Sequence, residues 1–153
     1  MSGTAENGFE LAIERHIDAS PAAVWQAWIE QFERWWAPAP WTTTIVEMDL
    51  RPGGRFALLM SGPAGEASPI EGVFLEVVPA RRIVFTDAFR AGWIPQAPFM
   101  VGFFAFSPEG DGTRYRAGSR HWDEMAMRQH DGMGFVAGWT TVADQLAKIA
   151  EAK

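Results

Sequence analysis

Three side chains able to do chemistry alternate along one stretch near residue 120: Tyr115, Ser119 and His121, with Ala117 between the first two. On a strand, a spacing of two puts them all on one face. A histidine in that row could orient a ligand or move a proton near neutral pH. Ser119 and His121 also have the spacing of a nucleophile and its base, but no third group or oxyanion donor is evident, which disfavours a hydrolase. The plainer reading is a hydrogen-bonded histidine at a strand end, next to Asp123 at a helix start. His130 and Asp131, with His121, Asp123 and Glu124, could be taken for metal ligands. Their spacing matches no metal motif and lacks a helical His-x-x-x-His pair, so a surface helix with ordinary charges is expected there and no metal or cofactor is assigned. The glycines between Asp49 and Phe56 join two strands and lack a Lys-Ser/Thr ending, so they make a turn and not a phosphate loop.

The elements that must position these groups are legible from periodicity. Phe9, Leu11 and Ile13 alternate with polar or small residues, a strand over 9–17. Ser20 and Pro21 start a helix, and Val24, Trp25, Trp28 and Ile29 share one face of it. A second short helix around Glu33 to Trp36 ends before Pro38 and Pro40. Further strands are expected at 42–50 (Val46, Met48 and Leu50 on one face), from Arg55 to Met60, at about 70–78 and 82–88, at 99–106 and at 113–121. Ser61 to Pro69 reads as a loop, and Ala91 to Pro98 as an irregular connection. A bulge on the fourth or sixth strand would exchange its inward and outward faces. From Gly134 runs a long amphipathic helix with a bulky stripe (Phe135, Trp139, Val142, Leu146, Ile149) beside a small one (Val136, Thr140, Ala143, Ala147, Ala150). The order is strand, two helices, six strands and a long helix, an α+β domain.

Composition narrows the function. At 153 residues the chain is read as one domain over 9–153 behind a frayed tail at 1–8. A net charge of −6 argues against nucleic acid. No signal peptide or membrane span is expected, and the lack of cysteine favours the cytoplasm. Eight tryptophans and eleven phenylalanines exceed what a core of this size normally uses, so some are expected to line a pocket or an interface.

The landmarks resemble the AHSA-type branch of the START-like (SRPBCC) superfamily, domains similar to the C-terminal part of the heat-shock ATPase activator. They include Asp18-Ala19-Ser20-Pro21 with Trp25 and Trp28, Arg34 to Pro38, Asp49 to Phe56, Ile83 to Thr86, Gly112-Thr113-Arg114, and His130 through Gly134-Phe135 to Trp139. The resemblance spans about Phe9 to Ile149, with Ala37 where the family usually has glycine. It implies a helix-grip fold: a seven-stranded antiparallel sheet wrapped round the C-terminal helix, two short helices after the first strand, and an apolar cavity between sheet and helix. Related domains bind lipids, hormones or polyketides, some are cyclases or dehydratases, and a eukaryotic branch stimulates a chaperone ATPase, so the fold alone does not give the function.

On that layout Met48, Phe56, Leu58, Phe85, Phe99, Tyr115, Trp139 and Val142 would wall the cavity, with Ser119 and His121 as polar contacts. Trp36, Trp41 and Trp93 would stand at its mouth as an aromatic gate. The expected ligand is a small apolar or aromatic molecule. One alternative is a cyclase- or dehydratase-type enzyme using His121 and Tyr115 in the cavity. Another is a module acting on a chaperone ATPase, against which counts the missing N-terminal domain of the eukaryotic activators. Arg51, Arg55, Arg114, Arg116 and Arg120 on the outer sheet face are expected to pair with Glu47, Asp49, Glu71 and Glu76. An apolar part of that face (Leu59, Val84, Phe104) is the candidate surface for a homodimer.

Overall fold

Alternation and turn chemistry set the elements. In the computed structural model, which describes residues 8–152, β1 (Glu10–Ile17) leads into α1 (Pro21–Glu30) and α2 (Phe32–Trp35). The expected tail at 1–8 falls, Gly8 apart, outside the described residues. Ser20 caps α1 by accepting the Ala23 N–H at 3.2 Å. Then come β2 (Thr42–Met48), β3 (Arg55–Ser61), β4 (Ala67–Val78) and β5 (Arg82–Thr86). A small hairpin of β6 (Phe89–Arg90) and β7 (Ile94–Pro95) precedes β8 (Val101–Glu109), β9 (Gly112–Arg120), α3 (Glu124–Gly132) and α4 (Phe135–Glu151).

All long strands join one antiparallel, seven-stranded sheet in the order β1-β9-β8-β5-β4-β3-β2, with the helices on its concave face. This is the helix-grip arrangement. Among the described residues no helix is long and apolar enough to cross a membrane.

Several local expectations are corrected. A bulge between Ile45 and Glu47 shifts the alternation of β2, so Val46 is 57% exposed while Ile45 and Met48 pack on the core. On β4 the register shifts between Phe74 and Glu76, whereas β8 runs without a shift. The 61–69 loop shrinks to 62–66, because Ser61 pairs with Ala67. Pro69 is tolerated in β4 because that end of the strand pairs only with β3, the partnership with β5 beginning at Val73. Phe99 lies in the connection before β8 rather than on it.

Phe104, expected on the outer face, points into the core, fully buried and opposite Ala117. Its neighbour Phe103 faces out instead, covered by the guanidinium groups of Arg116 and Arg120, 5.1 and 4.8 Å from its ring centre. The outer arginines pair across strands: Arg55 with Glu71 and Glu47, Arg82 with Glu76, Arg116 and Arg120 with Glu10.

Inside, rings from α1 and α2 pack into one part of the concavity, against Phe56 and Phe104 of the sheet. Trp28 lies 5.1 Å from both Phe32 and Phe104, and the Trp35 indole N–H donates to the Trp28 carbonyl at 3.1 Å. Gln145 of α4 donates to the carbonyls of Trp35 and Ala37, both at 2.9 Å, and ties α2 to the last helix. α4 itself is buried unevenly. Leu146, Ala147 and Ala150 are sealed against the core, but Val136 is 52% exposed and Thr140 is exposed. The helix is thus tight at its C-terminal half and lifted at its N-terminal half. Leu146→Ala is expected to cost about 3–5 kcal/mol in chemical denaturation and Val136→Ala less than about 0.5 kcal/mol. Similar losses for the two would contradict the uneven seating of α4.

Candidate functional site

The inward row of β9 comes first. Tyr115, Ala117 and Ser119 are all buried, and His121 follows just past the strand end, 3% exposed. Its backbone N–H and its Nδ1 both reach the Phe9 carbonyl, at 3.0 and 2.8 Å, which fixes the ring on the β1 side. Asp123 then caps α3 by accepting the Ala126 N–H at 2.8 Å. The helix carries His130 back over β9 in its last turn. There His130 Nδ1 lies 2.9 Å from His121 Nε2 and 3.1 Å from Ser119 Oγ, while Ser119 Oγ is 3.2 Å from His121 Nε2. Phe99, Phe135 and Trp139 surround the imidazole at 5.0, 4.9 and 6.4 Å between ring centres. Gly134, at φ +89°, makes the left-handed corner between α3 and α4 that this placement needs.

His130 forms part of the wall of a cavity of about 640 Å³, partly open to solvent, where α4 lifts off the sheet. The sheet contributes Met60, Ile70 and Phe85, the chain before β8 contributes Phe99 and Met100, the residues just past α2 and α3 contribute Trp36 and Met133, and α4 contributes Trp139. A smaller chamber of about 230 Å³ adjoins it under the first turns of α4, reaching Phe135 and Val142. Gly102 makes room for one wall, since a Cβ there would stand 2.2 Å from the Phe85 ring.

The remaining wall is held by its own backbone. Asp87 Oδ1 accepts the N–H groups of Phe99 and Met100 at 2.8 and 3.2 Å. Gln96 Nε2 donates to the carbonyls of Glu71 and Asp87 at 2.7 and 2.9 Å, and Thr86 Oγ1 donates to the Met100 carbonyl at 2.9 Å. Segment 96–100 therefore closes over the end of β4 that β5 leaves unpaired. Among the described residues no group of three His, Asp or Glu is placed to hold a metal ion.

Of the residues singled out from sequence, Trp36, Phe85, Phe99 and Trp139 line the large cavity and Val142 the small chamber. Ser119 and His121 stand behind His130, and His121 borders an outer groove with Phe9 and Trp122. Tyr115 lies elsewhere, sealed against Phe106, where burial pushes its phenol far above the ordinary range. Phe56 and Leu58 are core, because rings from α2 fill the concavity above them, and Met48 packs at the core edge. Trp41 lies against Gly62 in the β3–β4 turn, and Trp93, 56% exposed, rests on Gly53 and Phe89. The structure thus separates the gate tryptophans, with Trp36 alone at the cavity.

Sequence reasoning missed Met60, Ile70, Asp87, Gln96, Met100, Met133 and above all His130, expected on a surface helix but only 8% exposed. One signal was present: Ala126, Met127 and His130, at i, i+1 and i+4, form the one less exposed face of a polar helix.

Burial, reinforced by His121 and opposed by Asp131, lowers the His130 pKa from 6.5 to about 4. A folded-state value below the unfolded one means that the unfolded chain binds the extra proton between these limits. The contribution is fully present above pH 6.5 and is lost as pH falls toward 4, at up to about 1.4 kcal/mol per pH unit. Denaturation midpoints at pH 7 and pH 5 are expected to differ more for the wild type than for His130→Phe. Equal differences would rule out a buried neutral ring.

The comparisons with known proteins agree with this architecture. A family model described as activator of Hsp90 ATPase homolog 1-like protein matches residues 18–151. A crystal structure of a protein from Nitrosomonas europaea is 33% identical, covering 91% of this chain and 92% of that one, with a TM-score of 0.86. A crystal structure from Mycobacterium smegmatis is 26% identical over 95% and 92% of the two chains, with a TM-score of 0.80. The solution structure of an AHSA1-like protein from Aeromonas hydrophila is 26% identical over 94% and 92%, with a TM-score of 0.69. No curated protein matches the sequence. Matched over nearly its whole length, with the sheet and helices of a helix-grip domain, the chain belongs to the activator of Hsp90 ATPase homolog 1-like family.

Proposed function

We propose that the protein binds a small apolar or aromatic molecule in the cavity between the sheet and helices α3 and α4. The observation that carries this reading is a cavity of about 640 Å³, within the size range of small-molecule sites, in a protein whose neighbouring core is packed with rings. Its walls are rich in aromatic and thioether side chains, which favour flat apolar surfaces. Of its polar groups, Asp87 and Gln96 are held by backbone hydrogen bonds and His130 by Ser119 and His121. A two-ring aromatic burying roughly 200 Å² would gain about 5 kcal/mol, a dissociation constant on the order of 0.1–1 mM before polar contacts are added. An enzyme built on His121 and Tyr115 in the cavity is less well supported, because Tyr115 is sealed in the core and His121 stands behind His130. The composition is in keeping with work in the cytoplasm.

Titration of ¹⁵N-labelled protein with 2-methoxynaphthalene is expected to shift the indole N–H signals of Trp36 and Trp139 in a saturable manner. Ile70→Trp, which fills the cavity from β4, is expected to abolish the shifts, while Leu75→Trp on the exposed face leaves them intact. Binding that survives Ile70→Trp would sink the assignment of the site.

A further inference from the structure

We propose that the cavity selects molecules carrying a hydroxyl group, a phenol or aryl alcohol, whose O–H donates to His130 Nε2, and that His121 is the positioning residue that leaves this nitrogen bare. The proposal rests on the cavity being a binding site. Its physical basis is the direction of a chain of hydrogen bonds.

The Phe9 carbonyl can only accept, and it lies 2.8 Å from His121 Nδ1, so that nitrogen carries the hydrogen. In a neutral ring, His121 Nε2 is then a bare acceptor. His130 Nδ1 lies 2.9 Å from it, and two lone pairs cannot face each other at that distance, so His130 Nδ1 is the donor. Ser119 Oγ, 3.1 Å from His130 Nδ1, takes the second branch of the same N–H. A neutral His130 protonated on Nδ1 has no hydrogen on Nε2. That nitrogen makes no hydrogen bond among the described residues, and it belongs to a side chain that lines both chambers of the cavity. Burial keeps the His130 ring neutral at pH 7.

The opposite side of the cavity has the same polarity. Gln96 Nε2 is committed to two carbonyl oxygens, which fixes the orientation of the amide and leaves Oε1 free to accept. Asp87 Oδ1 is taken by two N–H groups, leaving Oδ2. The atoms left over there are acceptors, an amide oxygen and a carboxylate oxygen like the ring nitrogen opposite, while the buried indole N–H of Trp36, unpartnered among the described residues, is a donor. An ether or carboxylate oxygen can only accept, from the Trp36 N–H, whereas a hydroxyl can also donate to the ring nitrogen and is complementary to both.

The test compares 2-naphthol with 2-methoxynaphthalene by calorimetry at pH 7, together with ¹⁵N NMR of the imidazole nitrogens in the free protein. Wild type is expected to prefer the naphthol by roughly three- to tenfold, the worth of one net hydrogen bond. The ratio is expected to fall toward one in His130→Phe. In His121→Phe, His130 is expected to revert to the Nε2–H form, and the preference shrinks with it although residue 121 does not touch the cavity. Equal affinities in the wild type would overturn the proposal and leave the binding site standing. Binding of neither compound would overturn both. An Nε2–H tautomer at His130 in the free wild type would overturn the proposal whatever the affinities, and would need no mutant to fold.

Discussion

A seven-stranded sheet is wider than one helix can cover. At about 4.8 Å between strands it spans roughly 29 Å, while a helix with its side chains is about 10–12 Å across. α4 alone could not bury the concave face, and the rest of the structure answers that shortfall in two ways. Over one part of the sheet, α1 and α2 bring in Trp28, Phe32, Trp35 and Trp36, whose rings fill the space down to Phe56 and Phe104. Over the ends of β3, β4 and β5 nothing comparable is available, and the cavity is what remains.

The two solutions meet at Trp36 and Trp139. Trp36 stacks on Phe32 within the solid part and meets Trp139 edge-on at 5.6 Å, while both rings also face the cavity. They act as the spacer that keeps α4 seated at one end and raised at the other. The uneven stripe on α4 fits this seating: alanines where the backbone must come close, and bulky rings where it stands off.

The polar groups of the site also depend on this geometry. Segment 96–100 is held by Asp87, Gln96 and Thr86 rather than by strand pairing, because β4 has no second neighbour there. His130 is held by Ser119 and His121 because α3 folds back over the end of β9. Each arrangement satisfies polar groups that would otherwise be buried without partners. Each also includes a residue that lines the space between sheet and helices.

How much of this could be read from the chain depends on range. The alternation of Tyr115, Ala117 and Ser119, the Ser20 cap and the paired stripes of α4 are local patterns, and local sterics and hydrogen bonding are enough to fix them. Phe56, Leu58 and Met60, by contrast, are equally apolar on one face of β3, yet the first two are core and the third lines the cavity. Only the position of the α2 rings above them separates the two fates. The same holds for His130, whose partners lie nine and eleven residues away across a turn. Periodicity is a property of a single segment, so most elements and the α+β layout were legible in the chain alone, and the helix-grip class followed from the family resemblance. The bulge in β2 and the inward face of β8 were not legible. Where the helices fail to fill the sheet's concave face, and which side chains line that gap, emerge only once the chain is folded. An unfilled space belongs to no segment and arises from the mismatch between the elements around it.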